Sequence, residues 1–373
     1  MINNPFLITG YHSPAYFCDR KTETETISNA LFNGSNLTLL SPRRMGKTGL
    51  IHHVFHQIKQ QDPDIVLFYL DIFPTHNLGE FVRLLASTVF GKLDTASRKK
   101  INLLGKFIKS IRPVFTIDEF SGTPKITVDI IPGKEVTSMI EIFDYLQASE
   151  KKCYIAIDEF QQIAEYPEKG VEALLRSHIQ FMSNVNFIFS GSKRHVMNEM
   201  FLSAKRPFFQ STQILSIDKI DKDTYYHFAA DFFTAQGREL TEETFSTIYD
   251  DFNGHTWYIQ MILNRLYSYR ENPDGKLINH AISEILAESG YVYESLLSAF
   301  STSNIRLLKA IAKEKCVREI NAGDFITRHK LKAASSVNSS LKKLIDKELI
   351  YKSNMGYTVY DRFMALWLMQ QPY

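Results

Sequence analysis

One stretch narrows the folds open to this chain more than any other. Leu37-Thr38-Leu39-Leu40 is a short apolar run, Ser41-Pro42-Arg43-Arg44-Met45-Gly46 is irregular, and Lys47 to Lys59 has helical spacing. A strand, a tight loop and a helix in succession, with Gly46-Lys47-Thr48 at the loop's end, match most of the pattern G-x-x-x-x-G-K-[ST]. Ser41 stands at the first glycine position. The chemistry of such a loop is anion capture. Its backbone N–H groups converge on phosphate oxygens, helped by the positive end of the helix. Gly46 lets the main chain approach without a Cβ, Lys47 bridges the β- and γ-phosphates, and the Thr48 hydroxyl ligates Mg²⁺. The segment from Ser41 to Gly49 is therefore the expected ATP and Mg²⁺ site.

A loop of this kind needs an acid at the tip of a neighbouring strand for the metal, and hydrolysis needs a carboxylate for the attacking water. Ile155-Ala156-Ile157-Asp158-Glu159 supplies both, with Asp158 for the metal and Glu159 for the water. The letters Ile-Asp-Glu-Phe occur twice, at 117–120 and at 157–160. The second copy ends five unbroken apolar residues, as a central strand would. The first runs into Ser121-Gly122-Thr123-Pro124, so Asp118 and Glu119 are assigned to a solvated turn.

The rest of the chain agrees with an α/β architecture. Apolar runs at 65–70, 153–157 and 186–189, with a weaker one at 213–217, alternate with helical patterns and predict a parallel sheet covered by helices on both faces. These make residues 1–218 a P-loop domain, with a β-hairpin inserted at about 113–131. Helical patterning from 219 to 298 predicts an all-α lid domain. Residues 299–373 read as three short helices and a tight β-hairpin, a winged helix. Lys and Arg total 43 against 41 Asp and Glu, too even for a nucleic-acid claim resting on overall charge. The three cysteines are far apart and have no metal-ligand spacing, which fits a reducing compartment. No apolar run approaches membrane-spanning length, so a cytoplasmic protein is expected.

With these residues in place, the chain resembles the archaeal-type ATPases, a branch of the STAND group of AAA+-like P-loop proteins. The resemblance rests on Phe17-Cys18-Asp19-Arg20-Lys21-Thr22-Glu23, on the Ser41–Thr48 loop, on Phe187-Ile188-Phe189-Ser190-Gly191-Ser192, on Asn253-Gly254-His255-Thr256, and on the carboxy-terminal run from Tyr357 to Trp367. The chain departs from the family pattern at Ser41, Gly49, Thr256 and Arg362. The resemblance implies ATP hydrolysis, and it places Arg20 beside the nucleotide and His255 in the helical lid. It also makes Arg206 a candidate for a γ-phosphate contact, with a surface arginine as the alternative. Ser190 and Ser192 fit either a phosphate contact or a strand-end cap.

Two functions follow. One is a nucleotide-dependent switch with slow hydrolysis, the winged helix being its output toward a protein partner. The other is a DNA-binding regulator whose winged helix, with the basic cluster Arg328, His329, Lys330, Lys332, Lys342, Lys343 and Lys347, interrupted by Asp346 and Glu348, contacts phosphates while the ATPase domain is secondary.

Overall fold

A computed structural model describes residues 4–93, 109–117, 124–353 and 355–371. The second Ile-Asp-Glu-Phe copy lies within them, whereas Asp118 and Glu119 lie outside. The chain divides into two compact units. One comprises Leu7–Tyr225 with His255–Trp257; the other comprises Tyr226–Gly254 and Tyr258–Tyr373 with the residues up to Phe6. The segments expected as helical lid and winged helix both fall largely in the second unit.

The first unit is built on a five-stranded parallel sheet: β1 (Leu37–Leu40), β2 (Val66–Asp71), β5 (Cys153–Asp158), β6 (Val185–Gly191) and β7 (Gln213–Ser216), in the order β2-β5-β6-β1-β7. Two further strands, β3 (Ile111–Ile117) and β4 (Pro124–Ile130), pair antiparallel as the inserted hairpin. Every residue of β5 and β6 is buried, which explains why the sequence there is apolar without alternation. Successive side chains still point to opposite faces. Tyr154, Ala156 and Ile188 enter one core with Leu50, Ile51, Val54 and Ile58 of the helix Lys47–Gln61. Ile155, Ile157, Phe187 and Phe189 enter the other, with the helices Leu78–Leu93 and Glu135–Ala148. Truncating a fully buried ring such as Phe187 to Ala would cost about 3–5 kcal/mol.

The second unit contains the helices Glu242–Asp251 and Gly275–Leu297 and most of the helices Lys222–Ala235 and Thr256–Ser268. Arg238 fastens two of its segments by donating to the carbonyls of Leu266, Tyr267 and Glu271. The winged helix follows: helices Thr302–Glu314, Gly323–Arg328 and Ala334–Asp346, then β8 (Ile350–Ser353) and β9 (Gly356–Val359) as an antiparallel hairpin. Val317 bridges to Tyr357 beside that hairpin. Gly356 has φ +138, and a Cβ there would lie 2.5 Å from the Val317 carbonyl oxygen, so only glycine fits. A final helix, Arg362–Gln370, is capped by the Asp361 carboxylate, which accepts from the Met364 N–H at 3.0 Å.

Candidate phosphate and metal site

The site lies at the carboxyl ends of the parallel strands, where open α/β sheets bind ligands. At the end of β1 the chain turns into the helix Lys47–Gln61 through Arg44 at φ +67 and Gly46 at φ +88. Gly46 is the residue before the first helical turn, and a Cβ built on it would point into open space. That leaves the N–H groups of the turn approachable by an anion. Ser41 is fully buried, has no left-handed backbone, and donates its hydroxyl to the Pro42 carbonyl at 2.9 Å. The loop thus accommodates serine at the first glycine position without strain.

Lys47 is 6 % exposed and donates to the carbonyl oxygens of Ser41 and Pro42, each at 3.2 Å. Burial holds its ammonium below the ordinary lysine range, against the opposing pull of the Glu159 and Asp158 carboxylates. Thr48 donates its hydroxyl to Asp158 Oδ2 at 2.7 Å. The expected metal pair, Thr48 and Asp158, is therefore assembled across the sheet from residues 110 positions apart. Mg²⁺ takes hard oxygen ligands, commonly one or two carboxylates besides phosphates and water, and this donor set fits it.

The neighbours of these residues include several that the sequence reading missed. Tyr69 of β2 donates to the same Asp158 oxygen at 2.8 Å. Its hydroxyl is pushed well above the usual tyrosine range by burial and then by the adjacent Asp158, so it remains a donor at physiological pH. Glu159 adopts φ +56, and its N–H donates to Asp158 Oδ1 at 3.0 Å. The Glu159 carboxylate accepts from the Ser192 hydroxyl at 2.7 Å and from the Gln161 amide. Arg43 in turn donates to Ser192 Oγ at 3.2 Å. A chain of hydrogen bonds thus runs from the loop, through the end of β6, to the carboxylate expected to handle water. Gly191 makes room for it, because a Cβ there would lie 2.4 Å from Gln161 Oε1. Ser190 is buried, and its hydroxyl has no partner among the described residues.

Arg20 is 4 % exposed and donates to Met45 O at 3.3 Å and Glu23 Oε1 at 2.7 Å, so it braces the loop from the start of the helix Lys21–Phe32. The Phe17 ring packs over Gly49, where a Cβ would make ordinary contact with it at 3.4 Å, and stacks on His53 with centroids 4.2 Å apart. His255 immediately precedes the helix Thr256–Ser268 and belongs to the same unit as the loop. Two residues on, the Trp257 backbone N–H donates to Arg44 O at 3.0 Å, and the Arg44 guanidinium lies 4.2 Å over the Trp257 ring.

The Arg206 guanidinium pairs with Glu172 and, at 3.5 Å, with Glu199. Burial raises the Glu172 carboxyl above the ordinary range, and Arg206 is the countercharge that opposes this.

This arrangement, a glycine-containing turn after β1 with an acidic pair at the tip of β5, one strand away across the sheet, has the form of a P-loop of the ATPase class. Residues 17–262 match the family described as an ATPase domain predominantly from Archaea, and the chain belongs to that family. Residues 291–370 match a probable winged helix domain. Among solved structures, the Walker-type ATPase PABY2304 of Pyrococcus abyssi aligns over 98% of this chain and 99% of its own, with a TM-score of 0.66 at 16% identity. The Aeropyrum pernix ORC2 protein, solved as ADPNP–ADP complexes, gives 0.61 at 15% identity over 98% and 95%. The Aeropyrum pernix ORC1 protein in complex with DNA gives 0.56 at 12% over 99% and 97%. At these identities the likeness is one of fold. No curated protein matches the chain. Among the described residues, no helix is long and apolar enough to cross a membrane.

Proposed function

We propose that this chain binds ATP with Mg²⁺ in the Ser41–Gly49 loop, hydrolyses it slowly, and uses the bound state as a switch whose output is the winged helix and a protein partner. The observation that carries this reading is the Thr48–Asp158 hydrogen bond, which sets a loop hydroxyl and a strand-tip carboxylate side by side next to Glu159. A bound Mg²⁺ would neutralise phosphate charge and hold the nucleotide in register. Lys47 exchanges its two carbonyl acceptors for phosphate oxygens. Thr48 and Asp158, now bonded to each other, would be the residues that hold the metal. Glu159, released from Ser192 and Gln161, accepts a proton from the water that attacks the γ-phosphorus as the bond to the ADP oxygen breaks.

These exchanges account for slow turnover, since each internal bond must be given up before the next is made. They also supply the two arrangements that a switch requires. Glu159→Gln is expected to lower ATP turnover by about a hundredfold or more while nucleotide affinity stays within about threefold. Unchanged turnover would remove Glu159 from this role. Protease cutting near Lys219, where the ATPase sheet has ended, is expected to change with ATP and Mg²⁺. Identical digestion patterns would count against the switch.

DNA contact is a second reading, favoured by the exposed Lys342 and Lys343 on a helix of the winged-helix region. It is checked by salt-dependent binding of duplex DNA that falls when both lysines are neutralised.

A further inference from the structure

Asp158 is 3 % exposed, and a carboxylate so enclosed needs donors on its oxygens. Oδ1 accepts from the Glu159 N–H at 3.0 Å. Oδ2 accepts twice, from the Thr48 hydroxyl at 2.7 Å and from the Tyr69 hydroxyl at 2.8 Å. The two hydroxyls are not equivalent. Thr48 opens the helix after the loop and is the residue expected to serve the metal. Tyr69 sits in the sheet and has no such task. When Thr48 turns away from Asp158, Tyr69 is the side-chain donor that remains on that carboxylate among the described residues.

The place of Tyr69 is set by strand registry and by packing. In the parallel pairing of β2 with β5, Asp71 stands opposite Asp158 and Tyr69 opposite Ala156. Tyr69 therefore shares a sheet face with Ala156 and Asp158. That face carries the core to which the helix Lys47–Gln61 contributes, and Tyr69 packs against it. The phenol ring lies 4.5 Å from the His52 ring, centroid to centroid. His52 is one helical turn beyond Thr48. The ring is thus held between a strand and the helix that carries Thr48, which keeps its hydroxyl in one place.

The other oxygen extends the consequence. Glu159 has φ +56, a conformation that residues other than glycine seldom adopt, and its N–H is bonded to Asp158 Oδ1. Tyr69 on one oxygen and the Glu159 N–H on the other fix the plane of a single carboxylate. That plane links the residue expected to hold the metal with the residue expected to handle water. We infer that Tyr69 is a positioning residue for Mg²⁺, holding Asp158 in orientation through Oδ2 after Thr48 has left it. The inference rests on the proposed ATP and Mg²⁺ reading of the loop, and Tyr69 acts through Asp158 rather than on the nucleotide.

The test is a calorimetric titration of ATP, across a Mg²⁺ series, into the full unaltered chain and into Tyr69→Phe. The variant keeps the ring packed on His52 and loses only the hydroxyl, and a melting curve of the nucleotide-free protein verifies its fold. Without Mg²⁺ the two proteins are expected to bind ATP within about twofold of each other. The Mg²⁺ concentration that gives half of the tightening is expected to rise about tenfold in the variant. An unchanged Mg²⁺ requirement, or equal weakening of ATP binding with and without Mg²⁺, overturns the assignment and makes the hydroxyl a tie between β2 and β5. The two ways of failing are distinguishable. If Mg²⁺ does not tighten ATP binding to the unaltered chain, the reading of the loop falls and Tyr69 falls with it. If Mg²⁺ tightens binding to both proteins alike, only the role of Tyr69 falls.

Discussion

At the tip of β1 the polar groups are bonded to one another: Lys47 to two carbonyls, Thr48 and Tyr69 to Asp158, and Arg43 through Ser192 to Glu159. In the winged helix the cations are arranged differently: Arg306 and Lys332 are exposed and take part in no ion pair among the described residues. The difference lies in what binding must displace. A ligand at the loop exchanges one set of hydrogen bonds for another, so occupancy and conformation are coupled. A ligand meeting exposed cations displaces only water. Coupling of the first kind is what a switch uses.

The largest effect that tests this contrast is at the metal. Asp158→Asn is expected to lower turnover by about a hundredfold at a fixed Mg²⁺ concentration, with part of the loss recovered at higher Mg²⁺; steady-state assays across a Mg²⁺ series check it. An Mg²⁺ dependence identical to that of the unaltered chain would mean that the Thr48–Asp158 bond is only structural.

Next comes the restraint on Glu159. If the Ser192 bond must be surrendered before water is activated, Ser192→Ala raises turnover by a few-fold, the value of about one hydrogen bond. A drop in turnover would show instead that Ser192 positions the carboxylate for its task. The smallest effect concerns stability. Lys47→Met removes a charge that burial disfavours, so the nucleotide-free chain is expected to melt about 2–4 °C higher, on the order of 1 kcal/mol. The sign follows from linkage. The folded-state value of Lys47 lies below its unfolded value, so the unfolded chain holds that proton more tightly. Its unfavourable contribution is fully present below the folded value and fades as pH rises toward the ordinary lysine range. Melting curves of the Met variant should lack that pH-dependent part.

The sequence made the strand, loop and helix around Ser41–Thr48 legible because every local signal agreed: an apolar run, a glycine before the lysine, and helical spacing after it. The acidic pair was legible for the same reason, as two carboxylates closing an unbroken apolar strand. The winged helix was legible as three short helices followed by a tight β-hairpin in residues 299–373.

Strand order was not legible. Buried parallel strands all look alike in sequence, and nothing local to Phe187 announces that β6 lies between β1 and β5. Tyr69 and Gln161 were passed over because each belongs to an ordinary element, and their partners are set by registry. β2 pairs with β5 so that Asp71 stands opposite Asp158, and this brings Tyr69 within reach. A hydroxyl two residues before the end of an apolar strand was the only available hint. The pairing of Arg206 with Glu172 was not legible either, because the partner is 34 residues away on a helix, where position along the chain shows nothing of burial.

The most direct test is a calorimetric titration of ATP, with and without Mg²⁺, into the unaltered chain and into Lys47→Ala. Saturable binding of one nucleotide, tightened by Mg²⁺ and weakened by about a hundredfold in the variant, is the outcome that follows from a triphosphate held in the turn after β1. Equal affinity for ATP in both proteins would contradict it.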